Sequence, residues 1–161
     1  MNRECGECTA CCEGWIESAR MEMKPGVPCR QLVGGGCSIY AQRPENPCRN
    51  FNCGWKIPNS PLPDEMRPDQ CGAIVVLGQD WRHWRVIRAV PVGWTIPDET
   101  LRRIKHFAVV QRMALIYHEF EHIDGAYSRT QRIGFGPPDF VKSFREALIK
   151  EGAEELETRG S

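Results

Sequence analysis

Apolar residues are spread unevenly along the chain, and their pattern predicts regular elements only beyond residue 70. The runs GAIVVLG (72–78) and WRVIRAV (84–90) are rich in β-branched residues and are separated by a short polar loop. Short apolar runs between turn residues are typical of strands that pair with each other. The pattern therefore predicts a small antiparallel sheet in the second half of the chain.

Two helices are predicted beyond these strands. At Pro97-Asp98 a proline and an acid stand where helices commonly begin, and a last helix is predicted after Pro137-Pro138. Apolar residues recur at helical spacing after both positions. They are Leu101, Ile104 and Ala108 in the first helix, and Phe140, Phe144, Ala147 and Leu148 in the second. Together with the sheet, these helices predict an α+β fold.

The segment RMALIYHEFEHIDGAYSRTQRIGFG (112–136) allows two interpretations. Asp124-Gly125 stands between two extended-looking runs, which is a strong hairpin signal. Four apolar residues also fall at helical spacing, namely Met113, Ile116, Phe120 and Ile123. We favour the hairpin.

The first 60 residues have a different composition from the rest. They contain only six Val, Ile or Leu residues but eight of the nine cysteines. So little apolar surface does not offset the entropy lost on ordering, and the prolines and glycines of this segment predict loops and turns. Covalent or coordinate bonds are therefore expected to hold this loop-rich segment. A Pro-rich bridge at 61–70 connects it to the small α+β part at 71–161, and the two parts are expected to form one compact unit.

The cysteines are clustered most densely at the start of the chain. Cys5, Cys8 and Cys11 form two overlapping CxxC units, and Cys12 follows directly. A CxxC turn brings two thiolates to one cation. Neighbouring side chains leave the backbone in different directions, so Cys11 and Cys12 are expected to serve two different ions or to bridge a polynuclear cluster.

A multi-thiolate metal centre follows from this pattern. Its predicted ligands are Cys5, Cys8, Cys11, Cys12, Cys29, Cys37, Cys48 and Cys53. Eight thiolates supply two tetrahedral sets, or hold three ions if some sulfurs bridge. Thiolate-only sets suit zinc, copper(I) and iron–sulfur clusters. Zinc is the preferred ion because one iron–sulfur cluster uses only four of these cysteines. Cys71 stands apart from the others and is expected to be a small buried thiol.

Charge and compartment restrict the remaining function classes. The chain has 21 Lys and Arg residues against 21 Asp and Glu, so no overall field attracts nucleic acid or a membrane surface. The first residues lack the basic start and apolar run of a signal peptide. An odd number of cysteines does not suit a disulfide framework. These observations predict a cytoplasmic protein that binds metal ions and does not bind nucleic acid or membranes.

The cysteine spacing resembles that of a known family. CGECTACC, CRQL at 29, GCSIY at 36, RPENPCRNFNC from Arg43 and Trp55 are similar to the CxxCxxCC cysteine-cluster family, also called the YkgJ family, whose members are described as zinc- or iron-chelating. The resemblance covers residues 5–70. It implies that the eight cysteines form the metal centre, that Arg43-Pro44 is a fixed turn, and that Tyr40, Phe51 and Trp55 surround the centre with apolar surface.

Three other functions stay open at this point. A redox or electron-transfer protein would carry an iron–sulfur cluster, and an adaptor would use its metal centre only to shape a surface for a partner protein. HEFEH (118–122) satisfies the H-E-x-x-H pattern of zinc hydrolases, although Ser128 stands where one class has a third histidine. Glu146 is the acid that could replace it. That chemistry needs a helix, so the favoured hairpin argues against it, and catalysis is not expected.

Overall fold

The computed structural model describes residues 3–51 and 53–159, with side chains described as far as residue 152. The strands are β1 (Leu32–Val33), β2 (Gly36–Cys37), β3 (Ala73–Trp81), β4 (Trp84–Pro91), β5 (Ala114–Ile123) and β6 (Ala126–Phe135). The helices are α1 (Pro68–Cys71), α2 (Asp98–Val110) and α3 (Pro138–Arg159). Short helical turns lie at Ala10–Glu13, Tyr40–Gln42, Glu45–Arg49 and Asp64–Met66. The predicted α+β class and the loop-rich first segment are confirmed.

The main sheet has the strand order β3-β4-β5-β6, and it is mixed. The pairs β3–β4 and β5–β6 are antiparallel, as predicted, but β4 and β5 are parallel. The expectation of a purely antiparallel sheet is therefore wrong at the central pair. Helix α2 carries the chain back across the sheet between these two strands, which is the connection that parallel neighbours require.

The hairpin predicted at Asp124-Gly125 is confirmed. These two residues have φ values of 51° and 78°, the left-handed conformation that a tight turn between right-twisted strands requires. Strand β5 runs through the HEFEH sequence, so the helical interpretation of this segment is wrong.

One face of the sheet packs against α2 and the Pro-rich bridge. Its buried core includes Trp55 from the cysteine-rich segment and Leu62 and Met66 from the bridge, together with Ile87 and Leu115 from the strands. Because Trp55 lies in this core, the cysteine-rich segment and the α+β part share buried apolar surface. That shared burial supplies the segment with more hydrophobic contact than its own composition suggests.

The other face of the sheet packs against α3. Phe140 and Phe144 are buried there, and Trp81 and Trp84 pack edge-on against Phe140. Gly134 permits this close approach, because a Cβ atom at that position would lie 2.8 Å from a ring carbon of Phe144. Within the described residues, no helix combines the length and the apolar character needed to cross a bilayer.

Candidate metal centre

The structure brings all eight predicted ligands to the wall of one cavity of about 180 Å³. Cys5, Cys8, Cys11, Cys12, Cys29, Cys37, Cys48 and Cys53 line it, whereas Cys71 does not. They come from four separate loops, so only the folded chain gathers them. All nine cysteines are free thiols.

The overlapping CxxC units form a series of tight turns. The amide of Cys8 donates to the carbonyl of Cys5 at 2.9 Å, and the amide of Cys12 donates to the carbonyl of Thr9 at 2.9 Å. Each turn reverses the chain within a few residues, which directs successive thiols to the same side. The amide of Cys29 in turn donates to the Cys12 carbonyl at 2.7 Å and fixes the next loop against this one.

Gly14 holds the turn that follows the doubled cysteine. Its φ is 98°, and a Cβ atom there would overlap the carbonyl oxygens of Lys24 and Val27. Glycine is therefore needed at this position for two reasons, the left-handed backbone and the close approach. The sequence analysis missed Gly14, although a glycine two residues after the doubled cysteine could have suggested it.

The hairpin β1–β2 and its flanking turn position two further thiols. Leu32 pairs with Cys37 across the hairpin, and the amide of Leu32 donates to the carbonyl of Cys29 at 3.0 Å. The amide of Gln31 donates to the Cys29 sulfur at 3.4 Å.

The thiols of the cavity raise one another's pKa, and the neighbours of Cys11 differ from those of Cys12. Burial raises the pKa of Cys11, and Cys53, Cys12, Cys8 and Cys5 raise it further. Burial also raises the pKa of Cys12 to about 11, with further contributions chiefly from Cys37, Cys29 and Cys48. The pKa of Cys48 is raised by burial and then by Cys29 and Cys37.

These neighbours define what we call the first and second thiol groups. The first consists of Cys5, Cys8, Cys11 and Cys53, and the second of Cys12, Cys29, Cys37 and Cys48. The division is not complete, because Cys12 also raises the pKa of Cys11 and Cys5 raises that of Cys12. We place the adjacent residues Cys11 and Cys12 in different groups, and their binding of two different ions stays a prediction.

Basic side chains are close to the second thiol group. Arg43 and Arg20 lower the pKa of Cys48, against the larger effect of its burial. The other candidate cations have different contacts: Arg30 forms an ion pair with Glu22, and Arg49 donates to the carbonyl of Ala41 at 3.2 Å. Only some of the interleaved basic residues therefore act on the thiols.

The rest of the cavity wall is mostly apolar. Tyr40, Phe51 and Trp55, which the family resemblance assigns to this role, all line it, together with Met21 and Met23. The Arg43 guanidinium lies 3.9 Å from the centre of the Tyr40 ring. In the part of the chain that the structure describes, no group of three or more His, Cys, Asp or Glu side chains has the geometry of a formed metal site. The eight thiols surround the cavity, and metal binding there stays a prediction.

Cys71 and Asp69 lie beside the first thiol group. The Cys71 thiol donates to the carbonyls of Met66 at 3.4 Å and Ala73 at 3.3 Å, which satisfies it as a partly buried thiol away from the cavity. Asp69 lies close to Cys8, and its pKa is lowered chiefly by its hydrogen bonds with Arg67. The sequence analysis did not identify this carboxylate, because its position depends on the turn into α1.

Arg3 attaches the start of the chain to the Pro-rich bridge, and the sequence analysis did not identify this role. Its guanidinium donates at 2.8 Å to the carbonyls of Trp55 and Leu62 and to the carboxylate of Asp64. Only 20% of its side chain is exposed. The contact holds Cys5, two residues further on, near the cavity.

The HEFEH motif does not form a metal site. His118 and His122 lie on strand β5, where four residues span about 13 Å at roughly 3.3 Å per residue. His122 is exposed and its ring lies 4.5 Å from that of Trp94. One ion cannot contact both rings at that separation, so the helical zinc-hydrolase arrangement is absent from these residues.

Comparisons with family models, curated proteins and solved structures give no match to this chain.

Proposed function

We propose that this protein binds two metal ions, preferentially zinc, one in each thiol group. The observation that carries the proposal is the gathering of all eight predicted cysteines around one cavity. Four thiolates complete the tetrahedral shell of a zinc ion. On this proposal the chain is a cytoplasmic protein of the CxxCxxCC cysteine-cluster type, with a structural or metal-handling role.

The electrostatics of the cavity support the binding of cations. Several thiols at close range, in a largely apolar cavity, cannot all ionise without an opposite charge. Two divalent ions neutralise half of the charge of eight thiolates, and Arg43 and Arg20 lie close enough to offset part of the remainder. A closed shell of four sulfurs leaves no open coordination position, so no hydrolysis is expected at this centre.

Elemental analysis of protein purified without added metal tests the proposal. We expect about two zinc ions per chain, as two four-sulfur sites would hold. Zinc gives no visible absorption, so a brown protein containing iron and labile sulfide would instead establish an iron–sulfur protein. A protein that is free of metal and still ordered from residue 3 to 51 would contradict both assignments.

Single substitutions test the division into two groups. Cys11→Ser should remove the ion of the first thiol group and Cys12→Ser that of the second, so each variant should retain about half of the metal. Cys71→Ser is the matched control and should retain all of it, because the Cys71 thiol lies off the cavity. Loss of all metal in either single variant would indicate one polynuclear cluster.

A further inference from the structure

Three nitrogen-bearing side chains come together on the face of the sheet that carries α3. His118 of β5 stands directly opposite Arg132 of β6, so the two point to the same side. Arg88 of β4 pairs with Ile116, and Ile116 lies two residues from His118 on that same side. Three neighbouring strands therefore contribute one cationic or hydrogen-bonding group each to one patch.

The charges of this patch are poorly compensated among the described residues. Arg132 forms an ion pair with Glu151 of α3, but Arg88 has no carboxylate within ion-pair distance in that part of the chain. Arg88 is also half-buried, and both burial and Arg132 lower its pKa. Among the described residues, the two guanidinium groups and the one carboxylate that pairs with Arg132 leave a net positive charge on this patch.

His118 adds an unused hydrogen-bonding atom. Its Nε2 is buried and has no hydrogen-bond partner among the described residues. A buried polar atom without a partner is destabilising and is rare in folded proteins. Burial, Arg88 and Arg132 lower the pKa of His118 to about 4, so the ring is neutral at pH 7.

We propose that Arg88, His118 and Arg132 form a binding site for an oxyanion, the phosphate or carboxylate group of a small molecule. Guanidinium groups bind such groups with paired, charge-assisted hydrogen bonds. The imidazole contributes one further donor when its Nε2 carries a proton. Solvent reaches the site from the Arg132 side, where 40% of that side chain is exposed, and an anion that enters there must replace Glu151 as the partner of Arg132 before it reaches the buried Nε2 of His118. It lies apart from the cysteine cavity and does not depend on the proposed metal binding.

Binding at this site is expected to take up a proton. An anion between the two guanidinium groups offsets the charges that keep His118 neutral, so the pKa of His118 rises in the complex. The groups that face His118 are Arg88 from β4, Arg132 from β6 and, through its pair with Arg132, Glu151 from α3. Affinity for the anion should therefore increase as the pH falls from 7 toward 5.

Nuclear magnetic resonance of the histidine rings in the full chain tests the proposal. Inorganic phosphate and acetate are titrated separately at constant ionic strength, with chloride as the balancing salt. The His118 signals are identified by their loss in His118→Gln. A saturable shift of the His118 signals, with those of His83, His106 and His122 unchanged, supports the site. Saturation by phosphate alone or by acetate alone identifies which oxyanion it prefers.

Substitutions distinguish specific anion binding at this site from general attraction of anions to positive charge. Arg88→Gln and Arg132→Gln should each weaken binding roughly tenfold, the usual effect of losing a hydrogen bond to a charged group. Arg129→Gln is the matched control: Arg129 lies on the same strand, but on the opposite face, where it pairs with Glu121 at 2.7 Å. The Arg129→Gln variant should bind the anion as tightly as the unsubstituted protein does. The proposal is overturned if neither anion gives a saturable shift, or if Arg129→Gln weakens binding as much as Arg132→Gln.

Discussion

The two parts of this molecule reach an ordered state by different physical means. Beyond residue 72, a four-stranded sheet carries α2 on one face and α3 on the other, and the side chains between these layers are almost fully buried. Before residue 60, the regular elements are a two-residue hairpin and a few helical turns around a cavity lined by thiols. The comparison shows a segment with few apolar residues of its own whose eight thiols converge on one cavity and whose Trp55 is buried in the core of the other part.

Removal of the proposed metal ions is the strongest test of this contrast. A structural zinc contributes about 10 kcal/mol or more to the folding of a small site. A chelator should therefore abolish amide-hydrogen protection in the cysteine-rich segment while protection in β3–β6 persists. Hydrogen exchange followed by mass spectrometry measures both regions at once. Equal loss of protection in both would show that the sheet cannot fold without the metal-bound segment.

A cavity created between α3 and the sheet should destabilise the α+β part and leave metal binding unchanged. Phe140 is fully buried between α3 and the sheet, so Phe140→Ala should lower the free energy of unfolding by about 3–5 kcal/mol. The metal content should not change, because Phe140 is remote from the thiols. Val109→Ala, at a side chain that is 63% exposed, is the control and should change stability by less than about 0.5 kcal/mol. Denaturant unfolding combined with elemental analysis measures both quantities.

The sheet should also lose stability in mild acid. His118 has a folded-state pKa of about 4 against an ordinary value of 6.5, so the unfolded chain binds the proton more readily. The free energy of unfolding should therefore fall by about 2–3 kcal/mol as the pH falls through this range. In His118→Gln that part of the pH dependence should be missing. Chemical denaturation at pH 7 and pH 4.5, followed through the helical signal of α2 and α3, provides the comparison.

Arg3 provides the smallest test, at the connection between the two parts. Arg3→Gln removes a guanidinium that donates to two carbonyls and one carboxylate, which should cost about 1–3 kcal/mol. Arg30→Gln is the control, because Arg30 is 79% exposed and forms only a surface ion pair with Glu22. Thermal unfolding of the metal-loaded protein measures the difference. Identical midpoints for the two variants would contradict the role of Arg3.

Local signals in the sequence were sufficient for several elements of the fold. Asp124-Gly125 predicted the hairpin, and Pro97 and Pro137 predicted where α2 and α3 begin, because turn and helix-start chemistry depends on a few adjacent residues. The parallel pairing of β4 with β5 was not predictable in this way. It depends on how α2 crosses the sheet, which the alternation of side chains along a strand does not encode.

In the candidate site too, features set by neighbouring residues were predicted from the sequence, whereas contacts between residues far apart in the chain were not. The eight cysteines were identified from spacing, but the association of Cys53 with the first thiol group depends on contacts between residues more than 40 positions apart in the chain. Gly14 and Arg3 were missed because their roles are defined by what they contact, the carbonyls of Lys24 and Val27 and those of the Pro-rich bridge. Residue type alone does not reveal such partners.

The fluorescence of Trp15 is expected to respond to metal binding at the second thiol group. Trp15 follows Cys12 by three residues, and its ring stacks on Phe120 of β5 and meets Trp94 edge-on at 5.6 Å. An ion entering the second thiol group would fix the backbone that carries this indole. We therefore expect zinc, which is itself spectroscopically silent, to be detectable through the wavelength and intensity of tryptophan emission.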